Sequence, residues 1–346
     1  MRFVRSIPLA LGLLCQANMI CHAQPAKVTT GQALFDKVDP EIRKQLPEML
    51  KEGLDQVKVE VGVTYVERPS GALKLDIYRA INSDPKITKA KQPAVVVIHG
   101  GSWKSGDRTQ LGLYAASLAQ KGYIAYAIEY RLAPKYTWPA QWEDVRDAVV
   151  WVRKEAKNQG VDPDRIGAVG YSAGGHLASM LGAVGHKSFS DKNPEITAKV
   201  HCVAAGGAPC DFTDMPLDNT FLKYWLGSTR GDKPDIYHAA SPLQLVSVAS
   251  APIMFYNGTF DLMVRPNSAK SLSVALAKFG IDTAQHLVPG AGHISAALDE
   301  KALLAAWAFL DKHLKPVKPK LEPATPIKSA DPKPVPAVTK PETNKS

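Results

Sequence analysis

An apolar run that ends in Gly-x-Ser-x-Gly and opens straight into a helical pattern constrains this chain more than any other stretch. Ile166-Gly167-Ala168-Val169-Gly170-Tyr171-Ser172-Ala173-Gly174-Gly175 leads directly into His176-Leu177-Ala178-Ser179-Met180-Leu181. A serine on so sharp a strand-to-helix turn adopts a strained backbone, and small neighbours let strand and helix approach closely. Its hydroxyl then stands clear of the sheet, at a helix N-terminus whose free N–H groups favour negative charge. Five residues of this type also recur by chance, so the surroundings decide what the turn is for.

Around it the apolar patterning predicts eight strands: Val57 to Val66, Leu73 to Ala80, Ala94 to His99, Ile124 to Tyr130, Ile166 to Gly170, Val200 to Ala205, Pro252 to Asn257 and Thr283 to Val288. From the third onward they are short continuous apolar runs, as expected of strands buried on both faces. Helical spacing falls between them, at Leu111 to Lys121, Trp142 to Lys157, Gly175 to Val184, Ser268 to Phe279 and Ser295 to His313. That order predicts an α/β fold with a mostly parallel sheet and helices on both faces. A helical excursion near Asn219 to Leu226 is expected to form a small cap over the strand ends.

The two ends read differently from the body. Residues 1–23 combine Arg2 and Arg5, an apolar run from Ile7 to Leu14, and Cys21-His22-Ala23 as a cleavage site, the pattern of a secretory signal peptide. The run is far short of the roughly 20 residues a spanning helix needs, so no stable membrane anchor is expected and the mature protein should be secreted or periplasmic. Residues 24–56 read as a lead-in, 57–314 as the main domain, and 315–346 as a Pro/Lys-rich tail too poor in apolar residues to order itself. The tail holds seven Lys against Glu322, Asp331 and Glu342. With Arg2 and Arg5 it accounts for six of the formal +9, leaving +3 for the body. A nucleic-acid partner is therefore not expected, while the tail alone allows weak, salt-sensitive adhesion to anionic surfaces. Of four Cys, only Cys202 and Cys210 lie in the mature protein, and their spacing fits a bridge or two free thiols equally well.

Chemistry in an open parallel sheet gathers at the carboxyl ends of its strands. Four loops there carry reactive or small residues. His99-Gly100-Gly101-Ser102-Trp103 follows the strand Ala94 to Ile98, and its glycines free the backbone N–H groups of Gly100 and Gly101 to face a developing oxyanion, with Ala173 N–H as the other donor. Ser172 is the nucleophile of the second loop. Asp261, in Gly258-Thr259-Phe260-Asp261-Leu262-Met263-Val264, is the candidate acid, and His293, closing Pro289-Gly290-Ala291-Gly292-His293, is the candidate base. Asp211 and Asp214 are rival acids, ranked lower because they follow an earlier strand. A neutral imidazole must take the serine proton, and a carboxylate must hold it in the right tautomer. Ser102, Trp103 and Tyr171 are candidate substrate contacts, and Phe260 and Met263 are, with Trp103, candidates to line the pocket or simply to pack.

The order Ser172, Asp261, His293 on these loops resembles the α/β-hydrolase superfamily over nearly all of Val57 to His313. The chain looks most like bacterial esterases of the acetyl-xylan and feruloyl esterase group, near the hormone-sensitive-lipase-like branch. The matching stretches are His99 to Trp103, Tyr130-Arg131-Leu132-Ala133-Pro134, Pro139-Ala140-Gln141 leading to Asp144, Asp162 to Gly167, Ser172 to His176, and Ser241-Pro242-Leu243. Two departures stand out: Ser102 replaces the third loop glycine of many relatives, and the acid loop lacks Asp-Pro-Leu. The resemblance implies a hydrolase without metal or cofactor, acting on short-chain or aromatic acyl esters, free or linked to plant polysaccharide. It implies packing for His176 and a structural partnership between Asp144 and the Tyr130–Pro134 turn. An amidase of the kynurenine-formamidase type shares the His-Gly-Gly-x-Trp loop, but an export signal argues against that role. A prolyl-oligopeptidase-type peptidase fits less well, with no propeller-sized segment ahead of the domain. A non-catalytic surface-binding protein on the same scaffold is the remaining alternative.

Overall fold

Alternate residues of the central strands enter two separate apolar layers, and that division organises the molecule. Ala94, Val96 and Ile98 join one buried layer with Ile124, Tyr126 and Ile128, whereas Val95 and Val97 join the other with Ala125 and Ala127. Such two-sided burial requires helices on both faces, as the continuous apolar runs predict. The protein, seen in a computed structural model, is described over residues 27–83, 90–185 and 197–315. The chain divides into one unit up to Lys315 and a second from Pro316 to Ser346. The second unit, the expected tail, lies outside the described residues, as does the expected signal peptide.

In chain order, β1 (Lys27–Thr30), α1 (Gly31–Phe35) and α2 (Pro40–Gln45) precede β2 (Val57–Arg68) and β3 (Gly71–Ala80). Strand and helix then alternate through β4 (Gln92–Ile98), α3 (Gly112–Gln120), β5 (Ile124–Ile128), α4 (Ala140–Lys154), α5 (Ala156–Gln159), β6 (Val161–Tyr171) and α6 (Ala173–Val184). Next come β7 (Val203–Gly206), α7 (Lys223–Leu226), α8 (Pro234–Ala239), β8 (Ile253–Gly258), α9 (Pro266–Lys278), β9 (Thr283–Val288), α10 (His293–Ala297) and α11 (Glu300–Leu314). The sheet order is β1-β2-β3-β5-β4-β6-β7-β8-β9. The first three pairings are antiparallel, and β5 through β9 run parallel. The loops after β4, β6, β7, β8 and β9 therefore leave from one edge, where the candidate residues sit.

Helices α4, α6 and α9 fill one layer through Val145, Val149, Leu177, Leu181 and Leu272. Helices α3 and α11 fill the other through Leu118, Leu303, Trp307 and Leu310. Each such Leu or Val contributes about 1.5–3 kcal/mol when fully buried.

The sheet has nine strands, one more than the patterning predicts, because the lead-in is part of the fold. Thr30 caps α1 through Ala33 N–H, and Leu50 and Leu54 are buried against α3's layer. The single helix expected from Ser295 to His313 is two. Asp299 breaks it by accepting Ala302 N–H at 2.8 Å, an N-cap worth about 1 kcal/mol that starts α11. The excursion is shorter than expected at its first helix and carries a second, α8. Cys202 and Cys210 are free, buried thiols. They enter opposite layers of the sheet, which separates them.

Candidate active site

Strain and close packing mark the turn at Ser172. Its backbone lies at φ 57°, ψ −123°, and its N–H donates to the Gly206 carbonyl at 2.8 Å, tying the turn to β7. A side chain at Gly174 would fall 2.0 Å from the Ile98 carbonyl oxygen, so only glycine lets α6 rise this close to β4. Ser172 stands immediately before α6, every residue of which is buried.

Asp261 and His293 meet across the β8 and β9 loops. His293 Nδ1–H donates to Asp261 Oδ2 at 2.7 Å, with both side chains buried. The second oxygen, Oδ1, accepts the N–H groups of Met263 and Val264 at 2.9 and 2.8 Å. Asp261 is thus spent on holding its own turn and one imidazole nitrogen. The other nitrogen, Nε2, is buried with no partner among the described residues. A Cβ built on Gly207 would sit 2.9 Å from His293 Cε1, which puts the ring beside the residue following the acceptor of Ser172 N–H. Tyr171 OH donates to the His293 carbonyl at 2.5 Å and fixes the loop against the elbow strand. The rival Asp211 instead closes its own turn on Thr213.

The loop after β4 closes over the elbow, since a Cβ on Gly100 would lie 3.3 Å from Ser172 Cβ. His99 Nδ1–H donates to the Gly100 carbonyl at 2.8 Å, and Tyr130 OH reaches the His99 carbonyl at 3.0 Å. In a trans peptide the N–H points opposite to the C=O. Holding those two carbonyls on one side turns the Gly100 and Gly101 N–H groups to the other. Neither N–H, nor that of Ala173, has a protein acceptor among the described residues. Burial lowers His99 to about 4, with the Gly100 carbonyl opposing that shift, so its ring is a neutral donor. Beyond Gly101 the backbone stays left-handed through Ser102 (φ 52°) and Trp103 (φ 58°), a conformation that costs a non-glycine residue about 1–3 kcal/mol.

Two expected substrate contacts are taken up by the protein. Trp103 is buried, stacked on Trp225 at 3.6 Å, and donates from Nε1 to His176 Nδ1 at 3.2 Å. Tyr171 is buried against Tyr256 and His293. Ser102 stays half-buried, its carbonyl accepting Tyr224 OH at 2.9 Å. Phe260 and Met263 are exposed beside the Asp261 turn. His176, in the first turn of α6, is fully buried, and Asp144 holds the Tyr130–Pro134 turn by accepting Arg131 N–H at 2.9 Å. Sequence reasoning missed Tyr224 and Trp225. The only signal was an aromatic pair inside the excursion, and no local pattern says which loop such a pair will cover.

No cluster of three or more His, Cys, Asp or Glu fit to hold a metal occurs among the described residues.

The sheet order, the strained serine before α6 and the Asp–His pair on later loops define an α/β-hydrolase. Within that class the chain belongs to the BD-FAE family, whose model matches residues 75–276. It is 29% identical over 227 residues to Esterase LipQ of Mycobacterium tuberculosis, covering 63% of this chain and 53% of that protein. Esterase LipC of the same organism is 29% identical over 247 residues, 68% of this chain and 60% of the relative. The chain thus spans about half to three-fifths of the length of these relatives. The native structure of a thermophilic esterase, Est2, from Thermogutta terrifontis aligns with TM-score 0.63 and 26% identity, over 80% of this chain and 97% of that one. A truncated carbohydrate esterase from gut microbiota shares the fold with TM-score 0.65 at 22% identity, over 74% and 95% of the two chains.

Proposed function

We propose that the chain is a serine carboxylesterase with Ser172 as nucleophile, His293 as base and Asp261 as orienting acid. The observation that carries this reading is the buried Asp261–His293 bond, with His293 Nε2 unpartnered among the described residues and the ring beside Gly207, next to the residue that accepts Ser172 N–H. With Nδ1–H committed to Asp261, the neutral imidazole offers its lone pair only at Nε2. Nε2 takes the Ser172 proton as Oγ adds to the ester carbonyl. The oxyanion receives hydrogen bonds from the N–H groups of Ala173 and of Gly100 or Gly101. His293 then returns the proton to the departing alcohol, leaving an acyl-serine. Water attacks that ester by the same route and releases the acid. Loss of one oxyanion donor costs about 2.7–4 kcal/mol of transition-state stabilisation.

The favoured substrates are short-chain or aromatic acyl esters, including those carried on plant polysaccharide, met outside the cytoplasm after export. Similarity to esterases, among them a carbohydrate esterase, supports the class. Export rests on the character of residues 1–23. Purified protein should hydrolyse p-nitrophenyl acetate, and Ser172→Ala should abolish turnover without altering the circular dichroism spectrum. Release of acetate or ferulate from xylan above the rate on the free esters supports the polysaccharide assignment. Turnover of small esters alone restricts the substrate to the free ester.

A further inference from the structure

The esterase mechanism leaves one fully buried imidazole unused, and its contacts give it a task. His176 lies in the first turn of α6, where its N–H donates to the Ser172 carbonyl at 2.9 Å. It is therefore built on the same rigid element as the nucleophile. Its ring has 0% exposure and is surrounded by Trp103, Trp138, Phe212 and Trp225. The two nitrogens are assigned by their partners. Nε2 faces the Ala240 carbonyl at 2.7 Å, which can only accept, so Nε2 carries the proton. Nδ1 is then a free lone pair, and it accepts the Trp103 indole N–H.

Trp103 is the last of three consecutive left-handed residues in the loop whose first member is Gly101. A tryptophan does not hold that backbone unaided. Stacking on Trp225 fixes the plane of the indole but not its position in that plane. The hydrogen bond to His176 supplies the missing fix, and it does so relative to α6. Trp103 also ties the loop to the Tyr130–Pro134 turn, because its carbonyl accepts Ala133 N–H at 2.9 Å. The Ser102 carbonyl is held from the excursion by Tyr224.

We propose that His176 is a positioning residue that registers the oxyanion loop against Ser172 through Trp103, with the excursion held to both through Ala240. The inference rests on the esterase reading, in which the Gly100 and Gly101 N–H groups meet the oxyanion. A loop released from this bond relaxes its left-handed turn and carries those donors away from the reacting oxygen. Oxyanion contacts strengthen in the transition state, so the loss falls on kcat and not on KM.

The test compares His176→Leu, His176→Asn, Trp103→Phe and the double variant His176→Leu/Trp103→Phe on p-nitrophenyl acetate, with active-site titration to count folded enzyme. His176→Leu should lower kcat per active site by about 10–100-fold with KM within about 2-fold, the scale of a misplaced oxyanion donor. A trifluoromethyl ketone, which binds as the oxyanion, should lose affinity by the same factor as kcat/KM. Asn at 176 offers Oδ1 near the Nδ1 position and should recover most of kcat. Because both residues act through one bond, the double variant should fall little below the worse single one. Should His176→Leu fail to fold, Trp103→Phe carries the test, with the same loss of kcat at unchanged KM and the same loss of trifluoromethyl ketone affinity expected, and an unchanged kcat overturning the proposal. An unchanged kcat per active site, a loss expressed in KM, or multiplicative effects in the double variant would overturn the proposal. Full turnover by Ser172→Ala is a separate result that overturns the esterase reading itself.

Discussion

The two loop systems that flank Ser172 are built on opposite principles. The Asp261–His293 side is a pair of short glycine-containing turns on β8 and β9, closed by their own backbone and carrying Leu262 at 90% exposure. The loop after β4 is anchored at His99 and Trp103 by aromatic rings from three distant segments, Tyr130, His176 and Trp225, and holds a strained left-handed run. One side is held mainly by hydrogen bonds within and between its own two turns, with one tie to Tyr171, the other by long-range packing. Proton transfer needs a single fixed bond to a carboxylate. Under the proposed mechanism an oxyanion hole needs donors held in place relative to the serine, and the second design suits that need.

The largest effect expected beyond the serine itself lies on the locally built side. Asp261→Asn should lower kcat by about 10⁴-fold while leaving the fold intact, because Asn favours the wrong imidazole tautomer. A loss below about tenfold in steady-state assays would remove Asp261 from the orienting role. On the packed side the main cost is stability. Trp103→Ala should lower the unfolding free energy by about 3–5 kcal/mol in denaturant titrations, as emptied aromatic sites do. Leu262→Ala should shift it by no more than about 0.5 kcal/mol. Equal shifts for the two would erase the contrast.

Asp144 extends the packed side outward. Its side chain has 0% exposure and accepts Arg131 Nε–H at 2.8 Å and Arg68 Nε–H at 3.0 Å. Asp144→Ala leaves Arg68 with Asp147 and Arg131 with Glu143 but removes their shared buried acceptor, and should cost about 1–3 kcal/mol, read from the same titrations. A cost under about 1 kcal/mol would show that the turn holds without it.

Acid should weaken the packed side. Burial lowers His176 and His99 to about 4, against a reference near 6.5 in the unfolded chain. The Ala240 and Gly100 carbonyls, and Asp107 near His99, pull weakly the other way. Between those values the unfolded chain binds protons that the folded one refuses, so stability rises with pH. The contribution is complete above about 6.5 and is lost as pH falls toward about 4. Melting temperatures across that window should fall less steeply for His176→Asn than for the parent, and identical slopes would contradict the assignment.

The same contrast explains what the amino-acid sequence discloses. Glycines, a serine between them and the order of apolar runs are local signals, so the sheet, the elbow and the loops bearing Asp261 and His293 can be read directly. The edge strand β1 is four residues with little apolar character, stabilised only by pairing with β2, and it escapes such a reading. The break at Asp299 is hidden by apolar spacing that continues across it. Trp103 looks like a pocket residue in the loop motif. Its burial depends on Trp225, more than a hundred residues later, and no spacing rule links the two.

The central claim is that Ser172 carries the acyl group. Mass spectrometry of protein quenched in acid during p-nitrophenyl acetate turnover should find one acetyl group, on the peptide that contains Ser172. The Ser172→Ala protein should carry none and release no p-nitrophenol above background. An acetyl group on another residue, or continued turnover by Ser172→Ala, would contradict the account.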